Sequence, residues 1–112
     1  AFRDEHVLDN VAARHTELLE GLDALRAMPV GQLIEDVRGH GLMIGVQFRA
    51  PRPIAGPLTK ACLERDMLLL STSAFDVVRW IPPLTVSREE LAQALQIFKD
   101  ALEAVARAEG FL

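Results

Sequence analysis

The chain has 112 residues, half of them hydrophobic, and a formal net charge of −4. Such a length and composition fit one domain with a modest core and exclude a disordered segment. The basic residues form no patch of the kind a nucleic-acid surface needs, and no apolar run reaches the length of a membrane-spanning helix. The single cysteine, Cys62, rules out an internal disulfide, and a reducing, cytoplasmic setting is expected. Ala1 in place of methionine leads to the expectation of a processed chain or of a fragment of something longer.

Residues 5–28 carry Leu8, Val11, His15, Leu18, Leu22 and Leu25 in steps of three and four, which predicts a long helix with one apolar stripe. Pro29 and Gly31 stop it. His15 on that stripe is expected as a hydrogen-bonded core residue. Residues 32–38 and 42–49 then read as a hairpin turning at Gly39-His40-Gly41. The alternation of Leu42, Ile44, Val46 and Phe48 with Met43, Gly45, Gln47 and Arg49 buries one face. Gly39, Gly41 and Gly45 do not have the spacing of a dinucleotide loop, and no helix follows them, so turn geometry accounts for the first two. Gly45 inside a strand suggests a bulge or a close backbone approach.

A proline-rich loop follows, and Pro57 suits the first position of a short helix to about residue 65, with Leu58, Ala61 and Cys62 inward. Cys62 reads as a small core residue. Residues 67–71 read as a short strand buried on both faces, and Ser71-Thr72-Ser73 as a turn. Residues 77–81 form the next strand, which Pro82-Pro83 ends. On a period of two, Phe75, Val77, Arg79 and Ile81 share a face. A guanidinium on an apolar face needs an anion or a route to water. It is either a structural ion pair, a side chain snorkelling to solvent, or the anchor of a ligand carboxylate. Ser87 with Glu90 forms a capping box for a helix over residues 88–109, whose apolar face is Leu91, Leu95, Phe98, Leu102 and Val105, with Gly110 as its C-cap.

The order of elements predicts an α+β domain: a mainly antiparallel sheet of about four strands with helices on one face. No sequence motif supplies an active site. His6, His15 and His40 are too widely spaced to suggest a zinc site, so no metal ligands are proposed. Lys60 and Lys99, the only lysines, occupy exposed-looking helical positions unlike a Schiff-base lysine. Glu35 and Asp36 are expected to point to opposite strand faces.

Two stretches resemble a known family. Asp36-Val37-Arg38-Gly39-His40-Gly41-Leu42-Met43-Ile44-Gly45-Val46 is similar to a hairpin of the class III pyridoxal-phosphate aminotransferases. Val78-Arg79-Trp80-Ile81-Pro82-Pro83-Leu84-Thr85-Val86 is similar to a strand near the end of the same proteins, and both occur in the family's order. The resemblance covers essentially the whole chain. It implies the C-terminal small domain of a fold-type I enzyme, with residues 1–28 as a helix linking to a large domain and residues 29–112 as the small domain proper. It further implies a homodimeric transaminase that moves an amino group from an ω-amino or α-amino acid to a 2-oxo acid. By the same resemblance, Arg79 holds a substrate carboxylate. Pyridoxal phosphate and its lysine belong to the large domain, and this chain alone binds no cofactor and is inactive. Two departures from the family pattern are Gln47, where an acidic residue is common, and Asp66, where glycine is usual. A non-catalytic α+β interaction module is the alternative from a different class.

Overall fold

The computed structural model describes residues 5–67, 69–71, 76–82 and 85–111. The elements are α1 (Glu5–Arg26), a 3-10 turn (Pro29–Leu33), β1 (Ile34–His40), β2 (Met43–Phe48), α2 (Ala55–Leu63), β3 (Leu70–Ser71), β4 (Val77–Trp80) and α3 (Arg88–Ala108). The strands form one antiparallel sheet in the order β1-β2-β4-β3. The α+β architecture expected from the sequence is therefore present. Among the described residues no helix is long and apolar enough to cross a membrane.

The core lies between the sheet and the helices. Ile44, Val46 and Phe48 of β2 and Val78 and Trp80 of β4 point into it and are almost wholly buried. They meet Leu58 and Cys62 of α2, and Leu91, Phe98 and Leu102 of α3. Trp80 packs against Phe98 with ring centroids 5.1 Å apart and planes at 61°, the edge-to-face arrangement that aromatic quadrupoles favour. The stripe on α1 divides. Leu18, Leu22 and Leu25 enter the core, whereas Leu8 is 69% exposed. Polar contacts hold α1 against its neighbours: Asn10 Nδ2 donates to the Val86 carbonyl at 3.1 Å, and His15 Nδ1 donates to the Gly41 carbonyl. His15 is thus half-buried and hydrogen-bonded, tying the helix to the hairpin turn.

Several boundaries differ from the expected ones. Pro29 opens a 3-10 turn, so β1 starts at Ile34 rather than at residue 32. The hairpin is tighter than expected. Gly39 and His40 belong to β1, His40 pairs with Met43, and Gly41-Leu42 form the two-residue turn. Gly39 and Gly41 have φ of 154° and 55°, and a Cβ on Gly39 would lie 2.0 Å from the Met43 carbonyl, so the hairpin demands glycine there. The irregularity expected at Gly45 lies instead between Ile34 and Asp36. That bulge overrides the alternation that would separate Glu35 from Asp36. Asp36 pairs across the sheet with Gln47, and the Gln47 side-chain amide also lies 3.5 Å from Glu35 Oε1.

The stretch expected to be a doubly buried strand over residues 67–71 is shorter and lies at the sheet edge. Among the described residues of this stretch only Leu70 and Ser71 pair, and both are exposed. Met67 and Leu69 reach the core from outside the strand. Leu68, Thr72, Ser73, Phe75 and Pro83, which the sequence places in a strand, a turn, the face of Arg79 and a strand end, lie outside the described residues. Cys62 is fully buried, and desolvation raises its thiol pKa from 9.0 to about 11, as expected of an inert core residue.

The helix ends show how local rules and tertiary contacts share the work. Ser87 and Glu90 form the reciprocal capping box of α3, with bonds of 3.0 and 2.9 Å. At its other end Phe111 N donates to the Ala106 carbonyl and Gly110 N to that of Arg107, a Schellman closure with Gly110 at φ 80°. The end of α2 repeats the pattern with Asp66 in the glycine position. Met67 N donates to the Cys62 carbonyl, Asp66 N donates to that of Leu63, and Asp66 has φ 65°. The left-handed conformation supplies the reason a glycine would suit position 66. At its start α2 departs from expectation. It begins at Ala55, two residues before Pro57, and no local side chain caps it. Its cap comes from the chain before β4. The Asp76 carboxylate accepts from Ile54 N at 2.9 Å and from Ala55 N at 2.7 Å, while the Asp76 carbonyl accepts from Phe48 N at 2.8 Å.

Two predictions follow from these caps. Asp76→Ala strands two helix N–H donors and is expected to destabilise the chain by about 2–3 kcal/mol, with Asp76→Asn costing roughly half as much, read from urea unfolding. Asp66→Gly is expected to stabilise it by about 0.5–1 kcal/mol, seen as a higher thermal midpoint, because glycine accepts the left-handed conformation without a Cβ clash.

Candidate functional site

The helices cover one face of the sheet and leave the other open. On the open face the register sets Arg38 of β1 opposite Gly45 of β2, Gly45 opposite Arg79 of β4, and Arg79 opposite Leu70 of β3. The two arginines therefore stand in one cross-strand row with a glycine between them. Arg79 and Arg38 are both exposed and both line a cleft of about 220 Å³, together with Gly45, Met43, Val77 and Ile81.

The two guanidinium groups have different surroundings. Asp36 lies on the same face as Arg38, two residues along the strand, and the pair closes at 2.7 Å. The Arg38 hydrogen bond, more than any other influence, holds the Asp36 carboxyl below its ordinary pKa. Arg79 has no hydrogen-bonded or ion-paired partner among the described residues. The structural ion pair, one of the readings open to the sequence, is thus not formed among them. Arg79 is exposed and stands one residue from the end of β4, an inner strand flanked by β2 and β3, so the route to water that the sequence left open is present. Around it stand exposed apolar side chains: Met43 at 60%, Leu70 at 49% and Ile81 at 48%. A cation ringed by apolar surface binds an anion more strongly once a second surface excludes water from the site.

A larger cavity of about 480 Å³ lies between the end of β4 and the first turns of α3, lined by Met67, Trp80, Pro82, Glu90 and Ile97 among others. Trp80 Nε1 is buried there without a hydrogen-bond partner among the described residues. Among the described residues no cationic side chain lines this cavity, so it does not share the chemistry of the Arg79 cleft.

The lysines are placed away from that cleft. Lys60 is exposed on α2, and Lys99 on α3 lies 3.6 Å from Glu103. Both ride on helices that pack against the opposite face of the sheet from Arg79. Neither lines the cleft or sits in an apolar pocket that would favour a neutral amine. The residues of this chain therefore do not fit the attachment of pyridoxal phosphate. Among the described residues no group of histidine, cysteine and carboxylate side chains could hold a metal ion.

The row itself was only half visible in the sequence. Arg79 stood out as a charge inside a strand. Arg38 and Gly45 did not, because their place beside Arg79 depends on β2 and β4 being neighbours although α2 and β3 intervene.

Comparison with known proteins accounts for the same stretches. The family described as aminotransferase class-III matches residues 1–102. The chain is 35% identical over 99 residues to the acetylornithine aminotransferase of Synechocystis, covering 88% of this chain and 23% of that enzyme. It is 37% identical over 102 residues to the acetylornithine aminotransferase of Nostoc, covering 90% of this chain and 23% of that enzyme. In structure it is similar to the N-acetylornithine aminotransferase of Stenotrophomonas maltophilia, with a TM-score of 0.84 and 25% identity over 94% of this chain and 28% of the other. The chain thus spans about a quarter of the length of the relatives it matches. On the family match over residues 1–102, it belongs to the class-III aminotransferases.

Proposed function

We propose that this chain is the C-terminal small domain of a class III aminotransferase and that Arg79 clamps a substrate carboxylate. The observation that carries the reading is a guanidinium without a partner among the described residues, on an inner strand of an open sheet face and ringed by Met43, Leu70 and Ile81. In this reading the open face meets a large domain outside the chain, which covers the apolar ring and dries the cleft. Residues 1–28 link the two domains, and the whole enzyme works as a homodimer. The cofactor, pyridoxal phosphate, and its lysine lie in the large domain. The small domain contributes binding and orientation. The planar fork of Arg79 fixes the carboxylate end of the substrate, so that the amino group at the other end is presented in one direction.

The acetylornithine aminotransferases among its relatives support an ω-amino group on an acid as the donor, and in this reading a 2-oxo acid is the acceptor. N-Acetylornithine and N-acetylputrescine form a matched pair that differs only in the carboxylate. In the full-length enzyme Arg79→Ala is expected to lower kcat/KM for N-acetylornithine by about 2–4 kcal/mol in transition-state stabilisation, roughly 30- to 1000-fold. Turnover of N-acetylputrescine is expected to change little. Arg79→Lys restores the charge without the fork and recovers only part of the loss. Equal losses for both amines, together with a lowered melting point, would assign Arg79 a structural role instead.

A second expectation concerns the chain by itself. Titrated with pyridoxal phosphate, the 112-residue chain is expected to show no saturable change in absorbance. A borohydride-trappable adduct at Lys60 or Lys99 would contradict it.

A further inference from the structure

Gly45 occupies an interior strand position where glycine is disfavoured, because it loses backbone entropy and packs no side chain. The usual reasons for a glycine there are a positive φ, a bulge, or a neighbouring atom too close for a Cβ. None applies. Gly45 is not among the positive-φ glycines, and the register runs through it from Arg38 to Arg79 without interruption. An added Cβ would meet the Arg38 carbonyl oxygen at 3.7 Å and Val77 Cγ1 at 3.8 Å, which is ordinary contact. Gly39, in the same hairpin, shows the contrast: its Cβ would lie 2.0 Å from the Met43 carbonyl. The fold needs glycine at position 39 and does not need it at position 45.

What a side chain at position 45 would fill is the space between the two arginines. With strands about 4.8 Å apart, the Cα atoms of Arg38 and Arg79 stand about 10 Å apart on either side of Gly45. Both side chains and Gly45 line the same 220 Å³ cleft. Asp36 already neutralises Arg38, so the far wall of the cleft is an ion pair and the near wall is one guanidinium unpaired among the described residues. One net positive charge beside a bare backbone floor suits a single carboxylate lying across the strand.

We propose that Gly45 is a specificity-determining residue, the floor on which the carboxylate end of the substrate rests beside Arg79. The inference builds on the carboxylate-clamp reading of Arg79 and adds a steric limit to it. A side chain at position 45 occupies the volume the carboxylate takes, while leaving the Arg79 charge and the sheet in place.

The test uses Gly45→Ala and Gly45→Val in the full-length enzyme, beside Arg79→Ala, with N-acetylornithine and N-acetylputrescine as the matched probes. Gly45→Val is expected to raise KM for N-acetylornithine at least about tenfold, with Gly45→Ala intermediate and N-acetylputrescine shifted less than about twofold. The melting temperatures of both variants should stay level or rise, since each removes a glycine from a strand interior. Stability and carboxylate recognition should therefore move apart, which a purely structural glycine cannot produce. Equal losses on both amines, a lowered melting temperature in Gly45→Ala, or no loss on N-acetylornithine would each overturn the proposal. The Arg79→Ala arm separates the two ideas. If it loses the carboxylate substrate selectively while Gly45→Val does not, the clamp stands and the floor falls. If Arg79→Ala shows no selectivity, the clamp itself is wrong.

Discussion

Asp76 joins parts of the chain that have no local reason to meet. Its carboxylate closes the start of α2 from more than twenty residues away, and its carbonyl takes the last amide of β2. The start of β4 is thereby fixed against both elements, and Arg79 follows three residues later. A helix N-terminus carries unsatisfied donors and a partial positive charge, so a carboxylate there answers both demands. The position of Arg79 on an inner strand depends on this junction as much as on the ladder between β2 and β4.

The two faces of the sheet carry different side chains, apolar toward the helices and charged in part toward the open side. The inward side chains form one continuous core with the three helices, and nothing charged is buried in it among the described residues. The outward face carries the charged row and its apolar surround. An antiparallel sheet can leave one face to another surface without losing its fold, because alternation keeps the two sets of side chains independent. Substitutions on the open face can thus leave the core intact. The Asp36–Arg38 pair extends this economy: it cancels one of the two cations in the row, and Arg79 has no such partner among the described residues.

The long helices α1 and α3 are tied down by separate contacts. Arg52, in the loop before α2, bonds Glu109 at 3.1 Å through Nε and lies 4.9 Å from the centre of the Phe111 ring. At the other end Glu17 draws Arg14 to 2.7 Å and Arg88 to 3.6 Å, so α1 is held at the start of α3. The pairs that Arg52 and Arg88 make are largely exposed and add little stability singly, whereas Arg14 and Glu17 are partly buried; together they fix how the helices enter and leave the layer over the sheet.

The sequence by itself determined the α+β class, the three helices, the hairpin, the capping box at Ser87 and Glu90, the inert character of Cys62 and the singularity of Arg79. Each of these rests on periodicity, on capping chemistry or on the cost of a charge in a strand, which act over a few residues and so can be read along the chain. The motifs around Arg38 and Arg79 also carried the family. Only the tertiary structure decided the bulge at Glu35, the cap that Asp76 lends to α2, the reduction of residues 67–71 to a two-residue edge strand and the row Arg38–Gly45–Arg79. These depend on which strands become neighbours, and strand order is set by the packing of α2 and α3 over the whole sheet rather than by any local preference.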